Sequence, residues 1–106
     1  MITITRKDIS PGYQVAQTAH SISQFAYKHN KTFTQWITGF NCIVSLSTDN
    51  EEALRKLYVE LGDMEKVLFE EPDIGNQATA VCFFATAELR KKFSNLSLAL
   101  RERKIA

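Results

Sequence analysis

Strand-like and helix-like segments alternate along the whole of this 106-residue chain, and that alternation constrains the fold more than any other feature. The predicted order is β-α-short α-β-α-β-β-α. Helices that connect strands in this way cover the faces of a shared sheet. The sequence therefore predicts an α/β fold: a single three-layer domain over residues 1–106, with a mixed four-stranded sheet and helices on both faces.

The four predicted strands differ in how apolar they are. Residues 2–6 are β-branched apart from the final arginine, and residues 66–69 form a short third strand. Residues 40–46 and 78–85 are almost continuously apolar, and such runs are typical of strands that are buried on both faces. We therefore expect the second and fourth strands to be buried on both faces of the sheet.

The first predicted helix runs from Ser10-Pro11 to about Lys28. Serine is a favoured N-cap, and proline fits the first helical position because its missing N–H costs nothing there. One side carries an apolar stripe that is expected to pack on the sheet. This stripe consists of Val15, Ala19, Ile22 and Ala26. The opposite, polar stripe is expected to face solvent and consists of Tyr13, Gln17, His20 and Gln24.

Three further helices are predicted: a short one over residues 33–37, one that starts within residues 48–52 and ends near Leu61, and a closing helix from residue 86 to about 104. The closing helix is basic. Cations near a helix C-terminus complement its dipole, and a patch that grips an RNA backbone is the alternative. The basic residues are Arg90, Lys91, Lys92, Arg101, Arg103 and Lys104.

The composition is that of an ordinary globular chain, with 44% hydrophobic and 24% charged residues and a formal net charge of +1. Nucleic-acid binding would therefore require a local patch. Cys42 and Cys82 lie in apolar segments and are expected to be buried thiols, with a disulfide as the open alternative. Neither a signal peptide nor a membrane span of about 20 apolar residues is recognisable, so we expect a cytoplasmic protein. No metal-ligand spacing or phosphate-binding loop indicates a metal or cofactor.

Two local features allow both a structural and a functional interpretation. The helix start at Gly12 offers free N–H groups to an anion and close backbone approach to a ligand, but it is also a plain capped helix end. The segment Asp73-Ile74-Gly75-Asn76 is a turn by composition. Its aspartate has the chemistry to hold a water for attack on an ester, and Glu70-Glu71 make this corner acidic.

Two separated blocks resemble the signature of the type-2 peptidyl-tRNA hydrolase family. Arg6-Lys7-Asp8 is similar to the family's Arg-x-Asp at the end of the first strand. Residues 12–20, Gly-Tyr-Gln-Val-Ala-Gln-Thr-Ala-His, are similar to its Gly-Lys-x-Ala-Ala-Gln-x-x-His, with Tyr13 in place of the lysine. Asp73-x-Gly75 and Thr79 match a later turn and the threonine that opens the last strand. The segment between them is shorter than in the family.

This resemblance implies hydrolysis of the ester between a peptide and the 3′ ribose of tRNA. It implies a water activated by Asp73, with Thr79 and His20 nearby. Tyr13 would join these catalytic residues as a hydrogen-bond donor, because its phenol is neutral near pH 7. The residues expected to bind substrate are Gly12, Gln17, Arg6 and Lys7, and Lys7 is the candidate to supply the missing positive charge.

The residues and the resemblance are compatible with three functions. The chain is expected to hydrolyse peptidyl-tRNA, weakly because of Tyr13; to bind tRNA, another RNA or a protein without catalysis; or to hydrolyse a smaller acyl ester. The expected partners are peptidyl-tRNA or another RNA and no membrane, and a homodimer stays open. Neither a metal nor another cofactor is expected.

Overall fold

The computed structural model describes residues 1–101 and contains five strands and four helices within that range. The strands are β1 (Ile2–Arg6), β2 (Val44–Thr48), β3 (Lys66–Glu71), β4 (Gln77–Phe83) and β5 (Ser97–Leu98). The helices are α1 (Pro11–Lys28), α2 (Asn30–Thr38), α3 (Glu51–Glu60) and α4 (Ala87–Lys92). A single 3-10 turn, Pro72–Ile74, joins β3 to β4.

The strands form one mixed sheet in the order β3-β4-β1-β2-β5. The central strand β1 is parallel to β2 and antiparallel to β4, and β5 is antiparallel to β2. β3 is antiparallel to β4. The predicted α/β class and mixed sheet are confirmed, but the prediction of four strands was wrong by one.

The additional strand replaces part of the predicted closing helix. α4 ends at Lys92, and the chain turns at Ser94 and Asn95 before β5 pairs with β2. Serine and asparagine compete with the helical backbone for hydrogen bonds, and the Ser94 hydroxyl donates to the Lys91 carbonyl at 2.7 Å. The predicted basic residues Arg103 and Lys104 lie outside the described residues.

Each face of the sheet has its own hydrophobic core, so helices cover both faces as predicted. On one face, α3 and α4 enclose a cluster that includes Ile4, Leu54, Val81, Phe83 and Phe93. On the other face, α1 and α2 enclose a smaller cluster of Met1, Phe25, Trp36, Val67 and Cys82.

Helix α1 presents a different side to the sheet from the one predicted. Val15 is 55% exposed and Ala19 is exposed, while Ile22 and Ala26 are only half-buried. The buried residues of α1 are Gln14, Gln17, Ser21 and Phe25. The buried side is thus rotated by roughly 100–130° from the apolar stripe, at 100° per residue. The reason is that the facing strands carry Thr79 and Glu71, whose buried polar groups find their partner in Gln17 of α1.

Strand β2 and its surroundings also differ from the prediction. β2 begins at Val44, so Phe40 and Cys42 precede it and are exposed. Cys42 is therefore not a buried thiol, whereas Cys82 is, and both cysteines are free. Because Val44 and Leu46 belong to the α3-side core, Ser45 and Ser47 point to the opposite face. α2 begins at Asn30, earlier than predicted, and thus includes part of the polar segment after α1.

No helix within residues 1–101 combines the length and the apolar character that are needed to cross a bilayer.

The facing of α1 predicts a large difference between two truncations on the same helix. Phe25→Ala should lower the free energy of unfolding by about 3–5 kcal/mol, because the ring is completely buried. Val15→Ala should change it by no more than about 0.5 kcal/mol, because Val15 is mostly exposed. Denaturant titration measures both values. A larger loss for Val15→Ala than for Phe25→Ala would contradict the observed facing.

Candidate functional site

A β-bulge in β4 directs Thr79 toward α1. Phe69 pairs with Ala80, whereas Glu70 pairs with Ala78, so Thr79 is an extra residue on β4. The side-chain alternation of a regular strand is broken accordingly, since Ala78 and Val81 both belong to the α3-side core. Bulges re-aim side chains in this way. The Thr79 hydroxyl consequently lies on the α1 side of the sheet, where it is completely buried.

The amide of Gln17 connects the bulge to the end of β3. The Thr79 hydroxyl donates to Gln17 Oε1 at 2.6 Å, and Gln17 Nε2 donates to Glu71 Oε2 at 3.1 Å. The hydroxyl carries one proton, and the shorter bond to Gln17 takes precedence over the 3.5 Å contact with the Phe69 carbonyl. Gln17 is only 2% exposed. The polar stripe predicted to face solvent therefore contributes a buried bridge.

Glu71 forms the corner between β3 and β4. Its Oε1 accepts the backbone N–H of Asp73 at 3.4 Å, and so caps the 3-10 turn. Gly75 follows with φ 70°, a left-handed conformation that glycine adopts without strain. Asp73 is held at the exposed tip of this turn, while Glu71 is buried beneath it. The corner thus presents one exposed and one buried carboxyl group.

Tyr13 lies at the same corner, in the first turn of α1. Ser10 caps the helix by accepting the Tyr13 backbone N–H at 3.4 Å, which confirms the predicted helix start. Burial raises the pKa of the Tyr13 phenol, and the charges of Glu71 and Asp73 raise it further. The phenol is therefore neutral at physiological pH and is a hydrogen-bond donor next to two carboxyl groups.

His20 lies one turn beyond Gln17 on α1. Its ring stacks on Phe69, with centroids 4.8 Å apart and planes 11° apart. Because Phe69 is two residues before Glu71 on the same strand, this stacking places the exposed imidazole along the same edge of the corner.

Arg6 lies at the end of β1 as a buried clamp. Its Nε and Nη2 donate to the two oxygens of Asp8, each at 2.9 Å, and its Nη1 donates to Gln77 and to the Ala78 carbonyl. The hydrogen bond from Arg6 lowers the pKa of Asp8. The stability that this pair supplies is therefore present above the ordinary Asp8 pKa of 3.8 and is lost as pH falls through the folded-state value.

Lys7 and Gly12 lie on the other side of the helix start. Lys7 is half exposed, and its Nζ is 2.9 Å from Asp49, in the loop after β2. It lines a cavity together with Pro11 and Gln14. A Cβ on Gly12 would meet no atom within 4 Å, so the packing of the protein itself does not require glycine there. The role of Gly12 in ligand binding stays a prediction.

The structure brings the predicted residues together only in part. Tyr13, Gln17, His20, Asp73 and Thr79 surround the corner that Glu71 organises. Arg6 is engaged within the protein, and Lys7 points toward β2. Glu71 is the residue that the motif comparison missed. The signal for it was the acidic pair before Pro72: alternation along β3 sends Glu70 to Arg55 on the α3 side and Glu71 to Gln17 on the α1 side.

Residues 1–101 contain no group of three His, Cys, Asp or Glu side chains placed to share a metal ion.

The chain matches no protein-family model, and a search of the curated proteins finds no similar sequence.

The proximity of Tyr13 to the two carboxyl groups can be tested by titration. The phenol should titrate above its ordinary pKa of 10.0, and Glu71→Gln and Asp73→Asn should each lower that pKa, because each removes a negative charge. Since the folded-state pKa is raised, the stability that the neutral phenol supplies is complete below about pH 10 and is lost as pH rises through the folded value. NMR of ring-labelled tyrosine, assigned with Tyr13→Phe, measures the shift.

Asp63→Asn is the matched control, because Asp63 is an exposed aspartate in the loop before β3. If Glu71→Gln and Asp73→Asn move the Tyr13 titration no more than this control does, the phenol is not next to the corner.

Proposed function

We propose that this chain is a divergent relative of the type-2 peptidyl-tRNA hydrolases, with their fold, and that its β3–β4 corner hydrolyses the ester between a peptide and tRNA, weakly. One observation carries the proposal. The two blocks that resemble this family, separated by more than 50 positions in sequence, are joined by the hydrogen bond between Gln17 and Thr79. A chance match of two motifs does not require such contact.

The chemistry of the corner supports ester hydrolysis. Asp73 is exposed at the tip of its turn, where a carboxylate is able to orient a water for attack. Tyr13 is able to donate a hydrogen bond to the oxyanion that develops. Thr79 is completely buried, so we assign it a positioning role: it fixes the Gln17 amide, which in turn fixes Glu71.

The weak activity follows from the missing cation. A neutral phenol stabilises a developing negative charge less than a lysine does, and removing one donor of this kind commonly costs about 2.7–4 kcal/mol in the transition state. That cost corresponds to a rate roughly a hundred- to a thousand-fold lower.

Replacement of Tyr13 should restore the missing charge. Tyr13→Lys is expected to raise cleavage of N-acetyl-aminoacyl-tRNA by about 100-fold or more, because Glu71 and Asp73 are placed to keep the new ammonium charged. Asp73→Asn should abolish the remaining cleavage in both backgrounds. Single-turnover release of the labelled acyl-amino acid measures each rate.

The matched control is Tyr27→Lys, since Tyr27 is also a tyrosine of α1 but is 88% exposed and lies almost four turns further along the helix, roughly 20 Å from position 13. Equal rates for Tyr13→Lys and Tyr27→Lys would show that position 13 does not act on the ester. Aminoacyl-tRNA and a small acyl ester, assayed in parallel, distinguish the peptidyl substrate from the smaller acyl esters that remain an alternative.

The second candidate is an RNA-binding protein without catalysis. It is favoured by three consecutive exposed cations in α4, Arg90, Lys91 and Lys92, which form a local basic patch in a nearly neutral chain. Such a patch binds a phosphate backbone through charge alone.

This candidate predicts tRNA binding that weakens with salt. Lys91→Glu combined with Lys92→Glu should lower the affinity and reduce the slope of log K against log salt by about 2, because two phosphate contacts are lost. Fluorescence anisotropy at several salt concentrations measures the slope. Tight binding together with no cleavage by wild type or Tyr13→Lys would support this candidate over the hydrolase.

A further inference from the structure

A groove runs beside α1 on the side away from the β3–β4 corner. α1 packs mainly on β1, β3 and β4, so the α1-side face of β2 and β5 borders a cavity of about 520 Å³. Ser47 and Ser97 line it from the strands, and Leu98 and Leu100 from the C-terminal segment. An adjoining cavity of about 200 Å³ shares Gln14 and Leu100 with it and reaches Ser45. The volume of the larger cavity is typical of small-molecule sites.

The position of the groove in the sheet is also that of a binding site. β1 and β2 are the parallel pair of the sheet, and their carboxyl ends are Arg6 and Thr48. On the other side of β1 the neighbouring strand is antiparallel. In open α/β sheets, ligands bind outside the carboxyl ends of parallel strands. Lys7, the residue after β1, lines the groove at that end.

Gln14, which lines this groove, holds an enclosed acceptor without a partner. Its side chain is 5% exposed and lines both cavities. The Nε2 donates to the Ile9 carbonyl at 2.8 Å, which leaves Oε1 as the other amide atom. Among residues 1–101, Oε1 is buried without a hydrogen-bond partner. A buried acceptor without a donor is costly, and a bound N–H or O–H group would remove that cost.

The borders of the groove combine positive charge with apolar surface. Lys7, which follows β1, and Arg101, which follows β5, both line it. The pair of Lys7 with Asp49 is exposed, and exposed ion pairs are weak enough to yield to a stronger anion. Leu98 and Leu100 are large apolar side chains that remain 57% and 45% exposed. The groove therefore offers cations and an apolar wall, and one lining residue, Gln14, holds an enclosed acceptor.

We propose that this groove binds a small organic anion, in which an apolar body carries a phosphate or carboxylate and one N–H or O–H donor. The anion pairs with Lys7 and Arg101, and the body covers Leu98 and Leu100. Gln14 Oε1 is enclosed in the ligand-free protein, and a rotation of the Gln14 side chain turns it toward the donor. Binding here is independent of the proposed hydrolysis, because β1 and α1 separate the groove from the β3–β4 corner.

The proposal is tested by isothermal titration calorimetry of the full chain with anionic compounds and their neutral counterparts. Adenosine 5′-monophosphate represents phosphates, and N-acetyl-L-leucine represents carboxylates. At least one of them should bind with a Kd of about 1 mM or tighter. The counterparts that lack the anion, adenosine and N-acetyl-leucine amide, should bind at least about tenfold more weakly, as should inorganic phosphate and acetate, which lack the body. The compound that binds identifies the source of the anion.

Variants connect the binding to the groove. Lys7→Gln and Gln14→Met should each weaken the binding several-fold. Lys31→Gln and Gln24→Met should not: Lys31 is an exposed lysine of α2, and Gln24 is an α1 glutamine whose Oε1 is also unpartnered within residues 1–101, but neither lines the groove. If Gln14→Met does not fold, Lys7→Gln decides alone, because Lys7 is a surface residue.

Three results would overturn the proposal. They are the absence of saturable binding by both anionic compounds, equal binding of an anion and its neutral counterpart, and binding that Lys7→Gln leaves unchanged.

Discussion

The buried amide of Gln17 is the interaction on which the arrangement of the candidate site depends. It accepts from Thr79 at the bulge and donates to Glu71 at the strand end, so one side chain of α1 joins two strands. An unmet buried polar group costs about 1–3 kcal/mol, and loss of this amide would leave two such groups. The same requirement explains the orientation of α1, because rotating the helix to bury Val15 and Ala19 would leave Thr79 and Glu71 unsatisfied.

The two faces of the sheet differ in how polar their buried side chains are. The face covered by α3 and α4 carries the larger core. Its completely buried side chains include Ile4, Leu54, Val81 and Phe83. The α1 face carries the smaller apolar cluster around Phe25 and Val67, and buried hydroxyl, amide and carboxyl groups lie beside it. Apolar packing on one face therefore supports a polar arrangement on the other, where the chemistry is available.

The N-terminal part of α1 separates two regions of opposite charge. On the β3–β4 side, the charges of Glu71 and Asp73 help to raise the pKa of the Tyr13 phenol and keep it neutral. On the β2–β5 side, Lys7 and Arg101 line a groove. The net charge of +1 conceals this division, because the opposite charges cancel in the sum. Local fields, and not the total charge, decide which ligands each region attracts.

The sequence by itself determined the class of the fold, the limits of α1 and the place of α3, because helical spacing and caps such as Ser10 and Asn50 are local signals. It also identified Tyr13, Gln17, Asp73 and Thr79 as candidates. Only the tertiary structure decided which side of α1 is buried, where α4 ends, and that Glu71 lies under the corner. Those outcomes depend on partners distant in sequence. Gln17 is buried because it bonds to the Thr79 hydroxyl, and Ser97 and Leu98 form a strand because they pair with the edge of β2. A periodic pattern indicates which residues share a side of a helix. Which polar groups face that side depends on strands that are distant in sequence, and therefore on the tertiary structure.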